Sequence, residues 1–532
     1  GGVINIITKA PPLDPEYGVW SEGGSSGHVR SGFSAGATYG AFGYTLNGNL
    51  ITSGGSRDRT AKRERAVSAK GVWDVSADTK LTLRGEYQKI WDQQPGTLSA
   101  AEYAADWQQA VIHDAFEDNS FSTVSGSLEH DFSDMASGKV AYSGRKTTAE
   151  GPTALSYKSG YVDEEALDHN LVVEYKHHLD FLSTKIVGGA DLQYSDYREK
   201  SYGWVNDVSV QRGALQSDWD LLAETASPFA QVQFSPVERV EFTFGGRFDK
   251  IRYTGVDKLG TSGKLKSDYQ NFSKKAGVSI DLTDRNVLWL GYGEAFVVPS
   301  RSRLFTSKAT ISRGRMSGYN ADPNLNPETA KNYSAGLRGS LFDDRFGYDV
   351  AVYYTNIYDM VVGVDRDGTL AGRVYTNAGE VRGSGLESMF YFKPHDMVRL
   401  DASYTYAENK FTDFVDEGVD YTGKYVAASP LHHLNARLTV MPIPELEVEL
   451  EWDHISSFYT SDLNDDPFGK YRRPDLWHLR VDYQVGTWSV WGQIRNLTDT
   501  KYADSVSYST RSGRSYTPGD GRFFAAGARV TF

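Results

Sequence analysis

The sequence predicts an all-β fold, a single transmembrane antiparallel β-barrel of about 22 strands. Three observations lead there. Apolar and polar residues alternate with period 2 along most of the chain. The connections between the alternating segments are short and long in turn. Aromatic residues make up 13% of the 532 residues, with 33 Tyr and 53 Gly. Yet no apolar run is long enough for a membrane-spanning helix, which needs about 18 residues or more.

The alternation is clearest in three segments. Val240, Phe242, Phe244 and Phe248 share one face, and Glu241, Thr243, Arg247 and Asp249 the other. Leu446, Val448, Leu450 and Trp452 alternate with Glu447, Glu449, Glu451 and Asp453. At the end, Phe524, Ala526, Ala528, Val530 and Phe532 alternate with Arg529 and Thr531. A soluble sandwich alternates too, but its strands usually run about 3–10 residues, and many segments here run longer.

Short connections fall near Tyr39–Ala41, Ser76–Thr79, Thr283–Arg285, Met441–Pro444 and Gly486–Thr487, among roughly 10 turns. Long polar ones fall at 92–118, 148–163, 201–221, 298–327, 413–429 and 499–520, among roughly 11 loops. An even strand count puts both termini on the turn side, with the loops 92–118, 298–327 and 499–520 together on the opposite rim. Segment 99–112 is expected to hold a helical turn within its loop. A barrel of this size belongs to the plugged transporters rather than the porins.

Composition removes other classes. With 69 acidic and 56 basic residues the formal charge is −13, which lacks the basic footprint of a nucleic-acid binder. Cysteine is absent, which is compatible with an oxidising periplasm. No repeat of 20–50 residues points to a propeller or solenoid.

Several segments resemble one family in order along the chain. Gly1-Gly2-Val3-Ile4-Asn5-Ile6-Ile7-Thr8-Lys9 resembles the end of the plug domain of TonB-dependent receptors. Gly293-Glu294-Ala295-Phe296-Val297-Val298-Pro299-Ser300, followed by Asp322-Pro323-Asn324-Leu325-Asn326-Pro327-Glu328-Thr329, resembles their mid-barrel signature. Asn377-Ala378-Gly379-Glu380-Val381-Arg382-Gly383-Ser384-Gly385-Leu386-Glu387 is similar to another. Asn496-Leu497-Thr498-Asp499-Thr500-Lys501-Tyr502, Tyr516-Thr517-Pro518-Gly519 and Phe532 look like the closing strands.

The resemblance implies an outer-membrane active transporter of the ferric-siderophore receptor type, in a Gram-negative bacterium, driven by the TonB system. It makes residues 1–15 the end of the plug and 16–532 the barrel. The family's signal peptide, TonB box and most of its plug precede this point, so the chain is expected to be a fragment, with TonB as a partner through that missing region. The other partners implied are a ferric siderophore, outer-membrane lipid and lipopolysaccharide, for a monomer that binds no nucleic acid. Cobalamin, haem or a saccharide as cargo, and a passive porin, remain alternatives. Residues 300–322 contain no His, which counts against haem.

Most other motifs read as structure. Gly32-Phe33-Ser34-Ala35-Gly36 matches a nucleophile elbow, but that motif needs a strand-to-helix turn and here falls inside a strand. Asp462-Leu463-Asn464-Asp465-Asp466 opens like a calcium loop, yet Pro467 replaces the required Gly and Arg473 the bidentate Glu. His177-His178 and His432-His433 are neighbours on strands, which point to opposite faces. No catalytic residue, cofactor or metal site is expected. Glu447, Glu449 and Glu451 form a lumenal stripe, with Arg437 expected opposite Glu449, and Arg480 opposite Glu451.

The segment from Arg301 to Tyr319 is the candidate ligand-binding element. Arg301, Arg303, Lys308, Arg313 and Arg315 occur in it without an acidic residue, against the acidic background of the chain. Arg301, Arg303, Arg313, Arg315 and Tyr319 are the expected ligand contacts. Basic donors suit an anionic ferric chelate; contact with lipopolysaccharide phosphates, or plain solvation, is the other reading.

Overall fold

The computed structural model describes residues 8–152, 160–206, 209–260, 263–305, 310–312, 315–317, 321–365, 373–416, 418–509 and 512–532. A 22-stranded antiparallel sheet closes on itself, because the first strand pairs with both the second and the last. Closure is what a membrane demands, since lipid cannot satisfy an open strand edge. The strands are β1 (Glu16–Gly24), β2 (Val29–Tyr39), β3 (Phe42–Ser53), β4 (Lys62–Ser76), β5 (Thr79–Gln93), β6 (Phe116–Ser133), β7 (Ala136–Pro152) and β8 (Tyr161–Leu179). They continue as β9 (Thr184–Asn206), β10 (Ser209–Val237), β11 (Val240–Asp257), β12 (Lys264–Thr283), β13 (Asn286–Val297), β14 (Glu328–Leu341) and β15 (Phe346–Tyr358). The last are β16 (Glu380–His395), β17 (Val398–Asp413), β18 (His432–Ile443), β19 (Leu446–Ile455), β20 (Leu476–Val485), β21 (Trp488–Arg495) and β22 (Phe523–Thr531).

Alternation sorts the side chains between lipid and lumen. Leu83, Val124, Leu128, Phe244, Phe272 and Leu290 are exposed although fully apolar, as an outer wall facing hydrocarbon requires. Their neighbours point inward and are charged: Arg84 meets Glu86 at 3.0 Å, and Arg247 meets Asp249 at 2.8 Å and Asp191 at 3.3 Å. The candidate nucleophile elbow is part of β2, as its composition indicates. A Cβ at Gly32 would lie 2.5 Å from the Trp20 ring, so glycine there makes room for an indole, not for a catalytic turn.

The lumenal register of β18 to β20 differs from the expected one. Arg437 stands opposite Glu451, with Nε to Oε1 at 4.0 Å, and Glu449 stands opposite Arg480. The β18–β19 turn is centred two residues further on, at Ile443 and Leu446, after an irregularity beyond Val440. A shift by two keeps every side chain on its face, whereas a shift by one would have turned the glutamates to lipid. Arg437→Ala is expected to lower barrel stability by only about 0.2–1 kcal/mol, measured by denaturant unfolding, because the pair sits in a wet lumen.

Segment 201–221 was expected as a loop and is mostly strand. β9 and β10 run for 23 and 29 residues, whereas a membrane crossing takes about 9–11. Their upper part packs on loop residues instead of lipid, with Trp219 and Leu221 buried on β10 and the polar Glu199 and Ser201 buried on β9, so the apolar alternation that marks a strand in the sequence is lost there. Helix α1 (Ala100–Ala105) fills the loop after β5, capped by Ser99 and Glu102 in a capping box.

Residues 8–12 run inside the barrel against β2 to β4. Lys70 Nζ donates to Thr8 Oγ1 at 3.1 Å and to the Lys9 carbonyl at 2.8 Å, and Thr38 Oγ1 donates to the Pro12 carbonyl at 2.8 Å.

Candidate functional site

The loop between β13 and β14 turns inward at the mouth of the barrel. After Pro299 the chain forms a single helical turn, α2 (Arg301–Phe305), in which the Ser300 carbonyl accepts the Arg303 and Leu304 N–H groups. Leu304 and Phe305 are buried with Trp219, Leu221, Leu325 and Val361, flanked by the inward-facing Tyr197, Tyr253, Tyr269 and Tyr375. A Cβ at Gly255 would lie 2.9 Å from the Phe305 ring, so the glycine in β11 gives the phenylalanine its seat.

The arginines fix this arrangement. Arg301 Nη1 donates to the Leu221 carbonyl at 2.9 Å and to Ser195 Oγ at 3.1 Å, and its guanidinium lies 5.2 Å from the Tyr197 ring. Ser195 Oγ donates in turn to Asp168 at 2.5 Å. Arg303 lies 5.2 Å from the Tyr375 ring. Arg301, one of the expected ligand contacts, pins the loop to the wall, because guanidinium stacks well on tyrosine and its fork reaches backbone and hydroxyl together. Arg315 lies in a small hairpin of Thr310–Ser312 and Arg315–Ser317. Arg313 and Tyr319 lie outside the described residues.

The mid-barrel motifs meet behind the loop. The Asn326 N–H donates to Asn377 Oδ1 at 2.9 Å, and Asn377 Nδ2 donates to the Asn326 carbonyl at 3.1 Å and to the Asp359 carbonyl at 2.7 Å. The Val361 N–H donates to Glu328 at 3.0 Å. Tyr269 OH donates to the Leu325 carbonyl at 3.1 Å, tying the loop's return to β12. These asparagines were visible in the sequence as motif residues; their role as a two-way clasp was not.

A second ordered assembly occupies the same rim. Leu98–Ser99, Ala503–Ser509 and Gly513–Pro518 form a three-stranded sheet joining the loops at 94–115 and 496–522. Tyr103 stacks on Tyr516 at 4.5 Å, and Lys501 lies 4.5 Å from the Tyr103 ring. The loop at 456–475 joins through Arg514, which donates to Asp466 at 2.6 Å and to the Gly469 carbonyl at 2.6 Å. The calcium-like carboxylates thus face protein donors: Asp462 accepts the Ala427 N–H at 2.8 Å, and Asp466 also accepts from Thr460 and the Phe468 N–H. The pair at 432–433 splits across faces: His433 meets Asp453 at 2.8 Å inside, while His432 stacks on Tyr404 and lies tilted against Tyr406 outside.

Burial opposes ionisation of Asp466, but the hydrogen bonds from Thr460, Arg514 and the Phe468 N–H outweigh it and hold its carboxyl below the usual carboxylate range. A depressed carboxyl stabilises the fold above its unfolded pKa of about 3.9, and that contribution is lost as pH falls through the lower folded value. The loop assembly should therefore loosen below about pH 4. Protease susceptibility of 456–522 as a function of pH checks this; Asp466→Asn should be open already at pH 7.

Residues 13–497 match the family described as TonB dependent receptor-like, beta-barrel. The chain belongs to that family. TonB-dependent receptors are transporters and receptors rather than enzymes. Solved structures share the fold at low identity. The unliganded ferric citrate transporter FecA matches with a TM-score of 0.84 and 19% identity, over 100% of this chain and 81% of that one. The ferric yersiniabactin uptake receptor FyuA from Yersinia pestis matches with 0.80 and 15%, over 100% and 82%. The copper transporter OprC matches with 0.78 and 15%, over 98% and 84%.

Proposed function

We propose that this chain is the barrel of an outer-membrane receptor of a Gram-negative bacterium, importing a ferric siderophore with energy delivered by TonB. Residues 1–15 are then the end of the plug and 16–532 the barrel. The observation that carries the reading is the basic, tyrosine-lined loop folded into the mouth of a closed 22-stranded barrel. The likeness to solved receptors for ferric citrate, ferric yersiniabactin and pyoverdine adds support. An outer-membrane setting fits the outer wall. Arg382 lies over Tyr354, Lys331 over Tyr358 and Lys410 over Tyr425, a belt of cations above aromatic rings suited to lipopolysaccharide phosphates.

Growth of a deletion strain on a panel of iron chelates in iron-poor medium tests the reading. Selective loss of growth on one chelate, restored by the intact gene, is expected. Unchanged growth on every chelate would sink it.

A further inference from the structure

The outer wall carries a basic group that import of a cargo does not use. Residues 57–65 hold Arg57, Arg59, Lys62, Arg63 and Arg65, five basic residues in nine, in a chain of net charge −13. Arg57 is buried in the loop before β4 and donates to the Gln109 and Gly96 carbonyls, each at 2.8 Å. Lys62 turns into the lumen and meets Glu64 at 3.0 Å. Arg63 and Arg65 alternate with Glu64, so they share the opposite face with the exposed Val67, Trp73 and Val75.

On that outer face Lys89 of β5 stands directly opposite Arg65, and Trp91 opposite Arg63. The Arg63 guanidinium lies 5.2 Å from the Trp91 ring. Like charges directly opposite one another destabilise a sheet, and an anion held between Arg65 and Lys89 relieves that repulsion. Among the described residues neither arginine meets a carboxylate. Lys89 meets one, Asp118 of β6, at 3.1 Å. Ser120 stands opposite Lys89, and its hydroxyl lies 2.6 Å from that of Thr148.

The group lies at the edge of the apolar band. Below Arg65 the outward residues of β4 are Val67, Ala69, Gly71, Trp73 and Val75, none of them charged. The rise from Val75 to Arg65 on a strand tilted by about 40° is roughly 25 Å, the height of the apolar band of an outer-membrane barrel. Leu50, Val67, Leu83 and Tyr87 are exposed beside and beneath the cations. Lys331, Arg382 and Lys410, on β14, β16 and β17, are half-way round the ring.

We propose that Arg63, Arg65 and Lys89 bind the phosphorylated headgroup of an outer-leaflet glycolipid, lipopolysaccharide, at a second site opposite the first belt. The phosphate lies between Arg65 and Lys89, Arg63 closes over it, and the acyl chains run down over Val67 and Leu83. The arginine fork matches phosphate oxygens two at a time, and the indole and phenol flank the headgroup. A free phosphate makes no use of the apolar surface below, which singles out a lipid. The site rests on the outer-membrane reading above and involves no lumenal residue.

Lipid A carrying two phosphates is the probe, added to the full-length receptor in detergent, with bound copies counted by native mass spectrometry. Inorganic phosphate and phosphatidylglycerol are the comparison arms. Combined Arg63→Gln, Arg65→Gln and Lys89→Gln should remove one bound copy, regained only at about tenfold more lipid A, since each partly wet contact contributes modestly. Lys146→Gln, on the same wall but paired with Glu165 at 3.0 Å, should leave the count unchanged. Asp118→Asn frees Lys89 and should tighten binding severalfold, a gain that no misfolded variant produces. Binding to the unaltered receptor should weaken as salt rises. A full count in the triple variant, weaker binding in Asp118→Asn, or equal occupancy by inorganic phosphate or phosphatidylglycerol overturns the site. Growth on iron chelates is scored in parallel. Chelate-specific growth that needs the receptor, beside a full lipid count in the triple variant, overturns the site alone. Growth independent of the receptor, with the copy lost in the triple variant, overturns the import reading and leaves the lipid site.

Discussion

Leu304→Ala is expected to free the inward loop while the barrel stays folded. Leu304 is 0% exposed and packs with Trp219, Leu221 and Phe305. Truncating a buried leucine costs about 2–5 kcal/mol. That is enough to open a loop held by one small apolar cluster and a few hydrogen bonds. Arg301→Ala should act in the same direction by about 1.5–3 kcal/mol, for the shielded bonds to Leu221 and Ser195, and less where water competes. Hydrogen exchange over residues 298–325 is the measurement, with thermal unfolding of the barrel as the control. Faster exchange there with an unshifted barrel transition is expected. If exchange is unaltered in both variants, the loop is held by something other than α2.

The second large effect lies on the lipid side. Val124, in β6, is 67% exposed and stands between Gly85 and Gly144 on the neighbouring strands. Val124→Arg should destabilise the barrel in phospholipid bilayers by about 2–4 kcal/mol if the position lies near the midplane, and less towards either interface. Thr123→Arg, one residue away and paired with Glu86 of the neighbouring strand on the lumenal face, should be tolerated. Equilibrium unfolding in vesicles separates the two. A tolerated Val124→Arg beside a damaging Thr123→Arg would invert every facing assigned to β6.

Much of this architecture was legible because membrane barrels write their geometry into period and spacing. Val240 to Asp249 gives its inner and outer faces directly, and short turns such as Ser76–Thr79 mark one rim. Above the lipid the signal fades, because buried polar residues such as Glu199 and Ser201 replace the lipid-facing apolar ones, which is why the tops of β9 and β10 read as a loop. Turn centres fade as well: nothing in Met441–Pro444 announces the irregularity that moved Arg437 from Glu449 to Glu451. The candidate site was half legible. Its sign and location follow from Arg301 and Arg303 in an acidic chain. That Arg301 would be spent on Leu221 and Tyr197 depends on residues roughly a hundred positions away, and no local pattern encodes such a meeting.

The wall is tall on one side and low on the other. β9 and β10 run for 23 and 29 residues, whereas β1 and β22, which close the ring, have nine each. Every other pairing in the ring joins strands adjacent in the chain order, so hairpins can form one after another at little entropic cost. The seam between Glu16–Gly24 and Phe523–Thr531 is different, because it brings together the two ends of the barrel sequence. For a flexible chain of roughly 500 residues, that closure costs about 5–6 kcal/mol in lost freedom. It is repaid by a ladder of seven residue pairs, as short as any in the wall. Assembly therefore has a built-in order: an open, curling sheet grows first, and the last strand turns it into a cylinder in one late, slow event.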